Sequence, residues 1–297
     1  MCNYNMADTL DRAIASVVEQ LDDRFEVLVI DDGSSDGSLE ILQDLAARYD
    51  RFRYIALPRD RNRQLGETRN ISIRAARGEY VLVGMDADDV WDPYLPDFVT
   101  LFHKIEAQAG RDIYLSGQQT GMAKRALLLP HGPYRNIYRS EDRDMLMRLA
   151  ERNSVLFLDY KVYRTRLDRP ASIRLSKAMW DQWSQMIVDL RGPIRPLRYI
   201  ADTLAAPLTG GPIPLSMKLR LFRVAIVLPA FVVSRFMEKI RVGLTWPEML
   251  DYQKRNRGTY AETMARLDGD PDVSFLSQAA QEIFSHGVKT PGFGGSA

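Results

Sequence analysis

The sequence predicts an α/β fold in which helices sandwich a mainly parallel sheet. Two observations predict it. Short apolar runs rich in β-branched residues alternate with stretches of helical periodicity over the first hundred residues. Turn residues break the strand runs, as "DDGSSDGS" does after residue 30. The length of 297 residues allows one large domain or a domain with an appendage.

The elements follow in order. Leu10, Ala13, Ile14, Val17, Val18 and Leu21 recur at helical spacing, so a helix begins near Asp8. "FEVLVI" (25–30) is a buried parallel strand, broken by the turn-forming "DDGSSDGS". Leu39, Leu42, Leu45, Ala46 and Tyr49 mark the next helix, and "FRYIAL" (52–57) the next strand. "LGETRNISIRAARG" is a helix ending at Gly78, read as a C-terminal cap. "EYVLVGM" (79–85) is a third strand; Leu95, Phe98, Val99 and Phe102 mark a helix, and "RDIYLSG" a further strand. Beyond residue 115 the pattern loosens, with a helix over 141–152 and a strand-like run over 154–164. The domain reading is therefore 1–164 as the main domain, in two halves of about 1–115 and 116–164. A helical, basic region over 165–288 and a disordered tail over 289–297 follow.

Composition excludes several function classes. The formal net charge of +1 gives no bulk attraction to nucleic acid. The single cysteine, Cys2, rules out an internal disulfide and a multi-cysteine zinc site, and fits a reducing compartment. His103, His131 and His286 lack metal-ligand spacing. No signal peptide is visible, and no apolar run reaches the roughly 18–20 residues of a membrane span.

The chemistry concentrates at two strand ends. Asp31 and Asp32 follow one strand; Asp86, Asp88 and Asp89 follow another. Acidic turns are common singly, because Asp favours turns. At corresponding ends of a parallel sheet the two converge on one cleft, where open α/β sheets bind ligands. Three carboxylates in "DADD" repel one another unless they share a cation. A hard divalent ion such as Mn²⁺ or Mg²⁺, its shell completed by substrate phosphate oxygens, is the natural partner. That points to a nucleotide-diphosphate substrate.

The stretches "CNYNMADTLDRAIASVVEQ", "FEVLVIDDGSSDGS", "LGETRNISIRAARGEYVLVGMDADD" and "SEDRDMLMRLAERN" together resemble a family 2 glycosyltransferase of the GT-A fold, in the family's order across residues 2–164. The resemblance implies metal-dependent, inverting transfer of one sugar from a nucleotide diphosphate to a glycan or lipid-linked acceptor, in cell-surface polysaccharide or glycolipid synthesis. It implies that Asp32 hydrogen-bonds a pyrimidine base beside Asn3 and Tyr4, and that Arg69 lies near the diphosphate. Asp86 and Asp88 form the DxD pair. The resemblance implies Asp88 as the metal ligand, with Asp86 or Asp89 as a second, and Asp86 otherwise touching ribose or sugar; Asp89 can share either role. In "SEDRDML" it assigns the general base to Asp142, against the structural alternative that Glu141, Asp142 and Asp144 only complement a helix dipole. The Gly-Gly-aromatic element that precedes the acidic helix is reduced to "HGPY" (131–134), so acceptor binding transfers least. The Q/R-x-x-R-W signature of processive synthases is absent.

The family's first strand, which leads into the motif matched by "CNYN", is not found in this sequence. Roughly six to ten further N-terminal residues are expected, the usual length of a strand. Residues 216–243 carry Lys218, Arg220, Arg223, Arg235, Lys239 and Arg241 against Glu238 alone, around an apolar run from Val224 to Val233. They read either as a helix in a membrane interface or as a helix buried on the main domain with its arginines at the rim. The expected location is the cytoplasm, with peripheral contact at the inner face of the membrane under the first reading. Two rival functions stand beside the transferase: a truncated, non-catalytic homologue acting as a binding subunit, and a nucleotidyltransferase. The second wants a glycine-rich basic loop where this chain has "NYNMADT".

Overall fold

The structure is a computed structural model. It describes residues 1–117, 120–131, 134–137, 141–160, 164–167, 180, 183–184, 186–191, 196–205, 217–237, 244 and 246–285. They fall into two compact units, Met1–Asp168 with Leu244–Val288, and Arg169–Gly243 with the last residues of the chain.

The first unit is α/β. Strands β1 (Cys2–Asn3), β2 (Val27–Asp31) and β3 (Phe52–Ala56) form a parallel sheet in that order, with helices α1 (Ala7–Val18) and α2 (Ser38–Arg48) as the crossovers. Every residue of β2 is buried, so this strand is covered on both faces. Leu10, Ala13, Ile14 and Val18 form the buried stripe of α1, all fully inaccessible. Each large side chain among them contributes ~1.5–3 kcal/mol by leaving water.

A second, mixed sheet runs β10 (Arg257–Gly258), β8 (Val155–Leu158), β6 (Tyr114–Ser116), β7 (Gly121–Lys124), β4 (Tyr80–Val83). β7 is antiparallel to both of its neighbours; β6, β8 and β10 are parallel. The mainly parallel sheet of the sequence reading is thus one parallel and one mixed sheet. A short antiparallel pair, β5 (Asp89–Trp91) with β9 (Arg164–Arg166), lies beyond the acidic turn after β4. Helix α3 (Leu65–Ala75) follows β3, α4 (Leu95–Ala109) follows β5, the short α5 (Arg125–Leu128) follows β7, and α6 (Glu141–Glu151) leads into β8.

Two expectations are corrected further along the chain; at the entry to the first helix there is a strand. It is two residues long: Cys2 and Asn3 pair with Ile30 and Asp31, and Cys2 also bridges to Asp86 on its other side. The Met1 carbonyl accepts from Ile30 N–H at 3.0 Å, and Asp32 N–H donates to the Asn3 carbonyl at 2.9 Å, so the backbone satisfies itself across the gap. Gly78 is not the cap of α3. The helix ends at Ala76, whose extended backbone turns the chain, and Arg77 N–H donates to Glu26. Finally, 165–288 does not behave as one region. Helices α9 (Trp246–Asn256), α10 (Tyr260–Arg266) and α11 (Gln278–Ser285) belong with the first unit. β10 extends the mixed sheet beside β8, and Thr259 and Glu262 start α10 with a reciprocal capping box. Tyr260, Met264, Leu276, Ala280 and Phe284 enter the same core as Phe98, Phe102 and Tyr160.

The second unit contains α7 (Pro196–Ala205) and α8 (Met217–Arg235). Val227 and Ala230 of α8 pack with Met186, Leu190 and Tyr199, and Arg223 donates to the Tyr199 hydroxyl at 2.7 Å. The other side of α8 is exposed at Met217, Leu221, Leu228 and Val232, spaced as one helical stripe, and Phe236 just past its end is exposed too. Of the 216–243 stretch, residues 216 and 238–243 lie outside the described residues, as do Gly132 and Pro133 of "HGPY" and the tail over 289–297.

Candidate active site

The site is built on the ends of β1, β2 and β4 and the first turn of α6. Asp31, last residue of β2, organises the turn. Its carboxylate accepts from Asn3 Nδ2 at 2.7 Å, Ser34 Oγ at 2.6 Å and the Ser34 N–H at 3.0 Å. Asn3 is itself buried. Asp31 is therefore committed to holding the loop, and its neighbour Asp32 takes other partners.

Asp32 is flanked by two arginines that sequence reasoning missed. Arg63 Nε donates to Oδ1 at 2.6 Å and Arg59 Nη1 to Oδ2 at 2.8 Å. Arg59 also lies over the half-exposed ring of Tyr4, 4.5 Å from its centroid. Gly33 makes this approach possible. Its φ is +77°, and a Cβ there would meet the Arg59 backbone at 2.6 Å. No spacing rule links positions 32, 59 and 63; only the parallel pairing of β2 with β3 brings them together.

Asp86, Asp88 and Asp89 sit together, with one carboxylate oxygen from each within 4.8 Å of the others. Asp88 and Asp89 are buried, whereas the Asp86 side chain is 41% exposed. Such crowding of like charge is costly without a shared cation. The all-oxygen donor set, with one open ligand, fits a hard divalent ion that keeps positions for water or phosphate.

Arg69 ties this triad to α6. Its guanidinium lies 2.9 Å from Glu141, 3.5 Å from Asp86 and 5.4 Å from the centre of the Tyr134 ring. Burial alone would lower its pKa. The field of Glu141, Tyr134, Asp86 and Asp142 outweighs that and holds it well above the ordinary arginine value, so the charge is permanent. Glu141, read from sequence only as a helix-start acid, is 3% exposed and serves as the anchor, while Asp142, beside it in the first turn, is exposed.

Two contacts fix the 134–137 segment next to α3. Asn70 Nδ2 donates to the Tyr134 carbonyl at 2.7 Å and its Oδ1 accepts from Tyr134 N–H at 2.9 Å. At Gly66 a Cβ would come within 1.8 Å of the Arg135 carbonyl oxygen, so only glycine lets the two backbones meet. The "ETRN" stretch thus carries two jobs: Arg69 joins acids, and Asn70 holds the aromatic segment.

Comparison with known proteins decides the family. A model of Glycosyl transferase family 2 matches residues 1–157. The chain belongs to glycosyl transferase family 2. Among curated relatives of this family 2 chain, the Cholesterol galactosyltransferase of Borreliella burgdorferi is 39% identical over 89 residues, 30% of this chain and 24% of that protein. The Succinoglycan biosynthesis protein ExoO of Rhizobium meliloti is 44% identical over 90 residues, 30% of this chain and 24% of that protein. The matched segment thus spans about a quarter of these relatives' length. Among solved structures, S. aureus TarS 1-349 in complex with UDP-GlcNAc is similar at a TM-score of 0.51 and 17% identity, covering 90% of this chain and 78% of that one. This likeness shows a shared GT-A-type α/β fold.

Proposed function

We propose that the protein transfers one sugar, with inversion, from a nucleotide-diphosphate donor to an acceptor hydroxyl, in the synthesis of a surface polysaccharide or glycolipid. The observation that carries this reading is the Arg69 link: one buried guanidinium contacts Asp86 of the acidic triad and Glu141, whose chain neighbour Asp142 faces solvent. That link supports reading the donor-side carboxylates and the candidate base as neighbours in one site. The relatives named for galactosyl transfer and for succinoglycan biosynthesis support the substrate class.

In this reading Tyr4 and Asp32 bind the base and Asn3 holds their loop. Asp88, with Asp86 or Asp89, would hold Mn²⁺ or Mg²⁺. When bound, the ion offsets the charge that grows on the departing diphosphate. Arg69, permanently charged in a site poor in water, adds to that stabilisation at no cost of reorganisation. Inversion is a single displacement, so the acceptor hydroxyl must lose its proton on the face away from the leaving group. Asp142 accepts it, the role a carboxylate plays toward water in inverting glycosidases. Glu141 cannot do so while paired to Arg69.

The exposed stripe Met217, Leu221, Leu228 and Val232 lies on a helix with no acidic residue and with Lys218, Arg220, Arg223 and Arg235. That combination suits the interface of an anionic bilayer. No helix among the described residues is long and apolar enough to cross a membrane.

The test is a panel of nucleotide sugars assayed for release of nucleoside diphosphate, with and without chelator. Metal-dependent release from one donor, raised by an acceptor glycan or lipid, is expected. Nucleotide binding with no turnover of any donor would instead favour a non-catalytic binding subunit.

A further inference from the structure

We propose that Tyr114 selects the acceptor: its hydroxyl, reaching the site from within the mixed sheet, hydrogen-bonds an acceptor sugar hydroxyl next to the one that attacks. The proposal rests on the transfer reading above and adds to it one specificity-determining residue, on β6.

Tyr114 opens β6, opposite Ala123 of β7 and Val155 of β8. Side chains alternate between the faces of a sheet. Leu115 and Met122, which pair with each other, enter the main core, so Tyr114, Gly121 and Ala123 point to the other face. The Tyr114 ring does not stay over Ala123. Its hydroxyl lies against Gly121, two residues further along β7, where a Cβ would overlap it. Two residues are roughly 7 Å of strand, a span that a tyrosine covers and a smaller side chain does not. Gly121 in turn pairs with Val83, the last residue of β4, from which the chain runs into the turn of Asp86, Asp88 and Asp89. The hydroxyl therefore stands level with the end of the sheet that carries the acids.

Tyr114 is 5% exposed, and among the described residues its hydroxyl has no hydrogen-bond partner. A buried hydroxyl left unpaired is costly and uncommon. Phenylalanine would fill the same space without that cost, so packing does not account for the oxygen. A ligand that brings a hydroxyl of its own does account for it, because the pairing is completed on binding.

The charges around Tyr114 say which ligand. Burial, then the fields of Tyr134 and Asp142, hold its pKa well above the ordinary tyrosine value, against the pull of Arg69. At neutral pH the group keeps its proton and is a donor and an acceptor at once. A sugar hydroxyl has the same two capacities. A phosphate or carboxylate would instead meet the negative field of Asp142. Asp142 acts on Tyr114 more strongly than Arg69 does. The phenol thus belongs with the candidate base, on the acceptor side, rather than with the diphosphate.

The experiment compares the full chain with Tyr114→Phe. Release of nucleoside diphosphate is measured on the donor found in the panel above, with Mn²⁺. The acceptor probes are the p-nitrophenyl β-glycosides of glucose, galactose and N-acetylglucosamine and their monodeoxy analogues. Tyr114→Phe should raise the KM of the glycoside used about 3- to 10-fold, the loss of one neutral hydrogen bond. Donor KM and kcat should stay near wild type. With one deoxy analogue the two proteins should behave alike, since the same bond is then absent from both. The Tm of the free variant should be unchanged or slightly raised, because no bond of the free protein is lost. An unchanged acceptor KM, a lowered Tm with both KM values raised, or a rise confined to the donor KM overturns the proposal alone. Donor turnover that no glycoside stimulates overturns it as well, since it requires a sugar acceptor. A wild type that releases nothing from any donor overturns the transfer reading and this proposal with it.

Discussion

Arg69 and Glu141 are 72 positions apart in sequence and 2.9 Å apart in space, and the same guanidinium reaches Asp86 at 3.5 Å. Both side chains of the closer pair are largely buried, at 15% and 4% exposure. Glu141→Gln preserves shape and removes the anion. Breaking a buried pair from one side typically costs ~3–5 kcal/mol. Exposure of Arg69 and the remaining pull of Asp86 place the expected loss at the lower end, about 3 kcal/mol. A denaturant midpoint that barely moves would show that the pair does not anchor α6.

The acidic triad makes a direct prediction about metal. Asp88→Asn should abolish Mn²⁺ binding measured by electron paramagnetic resonance, because an amide is a poor ligand for a hard cation. Transfer should be lost in parallel, and chelation of the wild type should reproduce that loss reversibly. Full activity in excess chelator would remove the ion from the mechanism.

Asp142 separates chemistry from helix stability. Asp142→Asn should lower transfer by ~10²–10⁴-fold if a general base has been lost. Nucleotide affinity should stay near the wild-type value, because Asp142 is assigned to the acceptor side. A helix-start acid would behave differently: asparagine is also favoured at helix starts, so a merely electrostatic role predicts a small change. Near-normal transfer would end the assignment.

Gly66→Ala sets two effects against each other. On helix propensity alanine gains up to ~1 kcal/mol. Its Cβ would lie 1.8 Å from the Arg135 carbonyl oxygen, a backbone atom that cannot rotate away. The clash dominates, and a net loss of ~1–3 kcal/mol is expected, together with weakened acceptor use as the 134–137 segment shifts. A variant with a raised Tm would show that this packing is loose.

For the exposed stripe of α8, the double variant Leu228→Glu, Val232→Glu should release the protein from vesicles containing phosphatidylglycerol, as read by co-sedimentation, while leaving sugar-nucleotide turnover in solution intact. Unchanged sedimentation, or a shift in oligomeric state instead, would assign the stripe to protein contact.

Much of this architecture is local information. The helical stripe of Leu10, Ile14 and Val18, the apolar run Val27–Ile30 of β2, and the acidic turns at Asp31 and Asp86 are set by nearest neighbours in sequence, so periodicity and turn chemistry reveal them. The family resemblance across 2–164 was legible for the same reason and agrees with the match over 1–157. Pairing over distance was not legible. That Asp32 takes Arg59 and Arg63, that Glu141 rather than Asp142 holds Arg69, and that Asn70 clasps Tyr134 depends on which strands lie side by side. The return of β10 to the edge beside β8 left no periodic trace, because two residues are too few to carry one. The stub β1 escaped for a related reason: its order comes from backbone hydrogen bonds to β2, which any side chain can make. Sequence determined which segments coil or extend and where carboxylates gather; only the tertiary structure decided which charges face one another, since a charge pair is a property of two surfaces and neither chain segment encodes it alone.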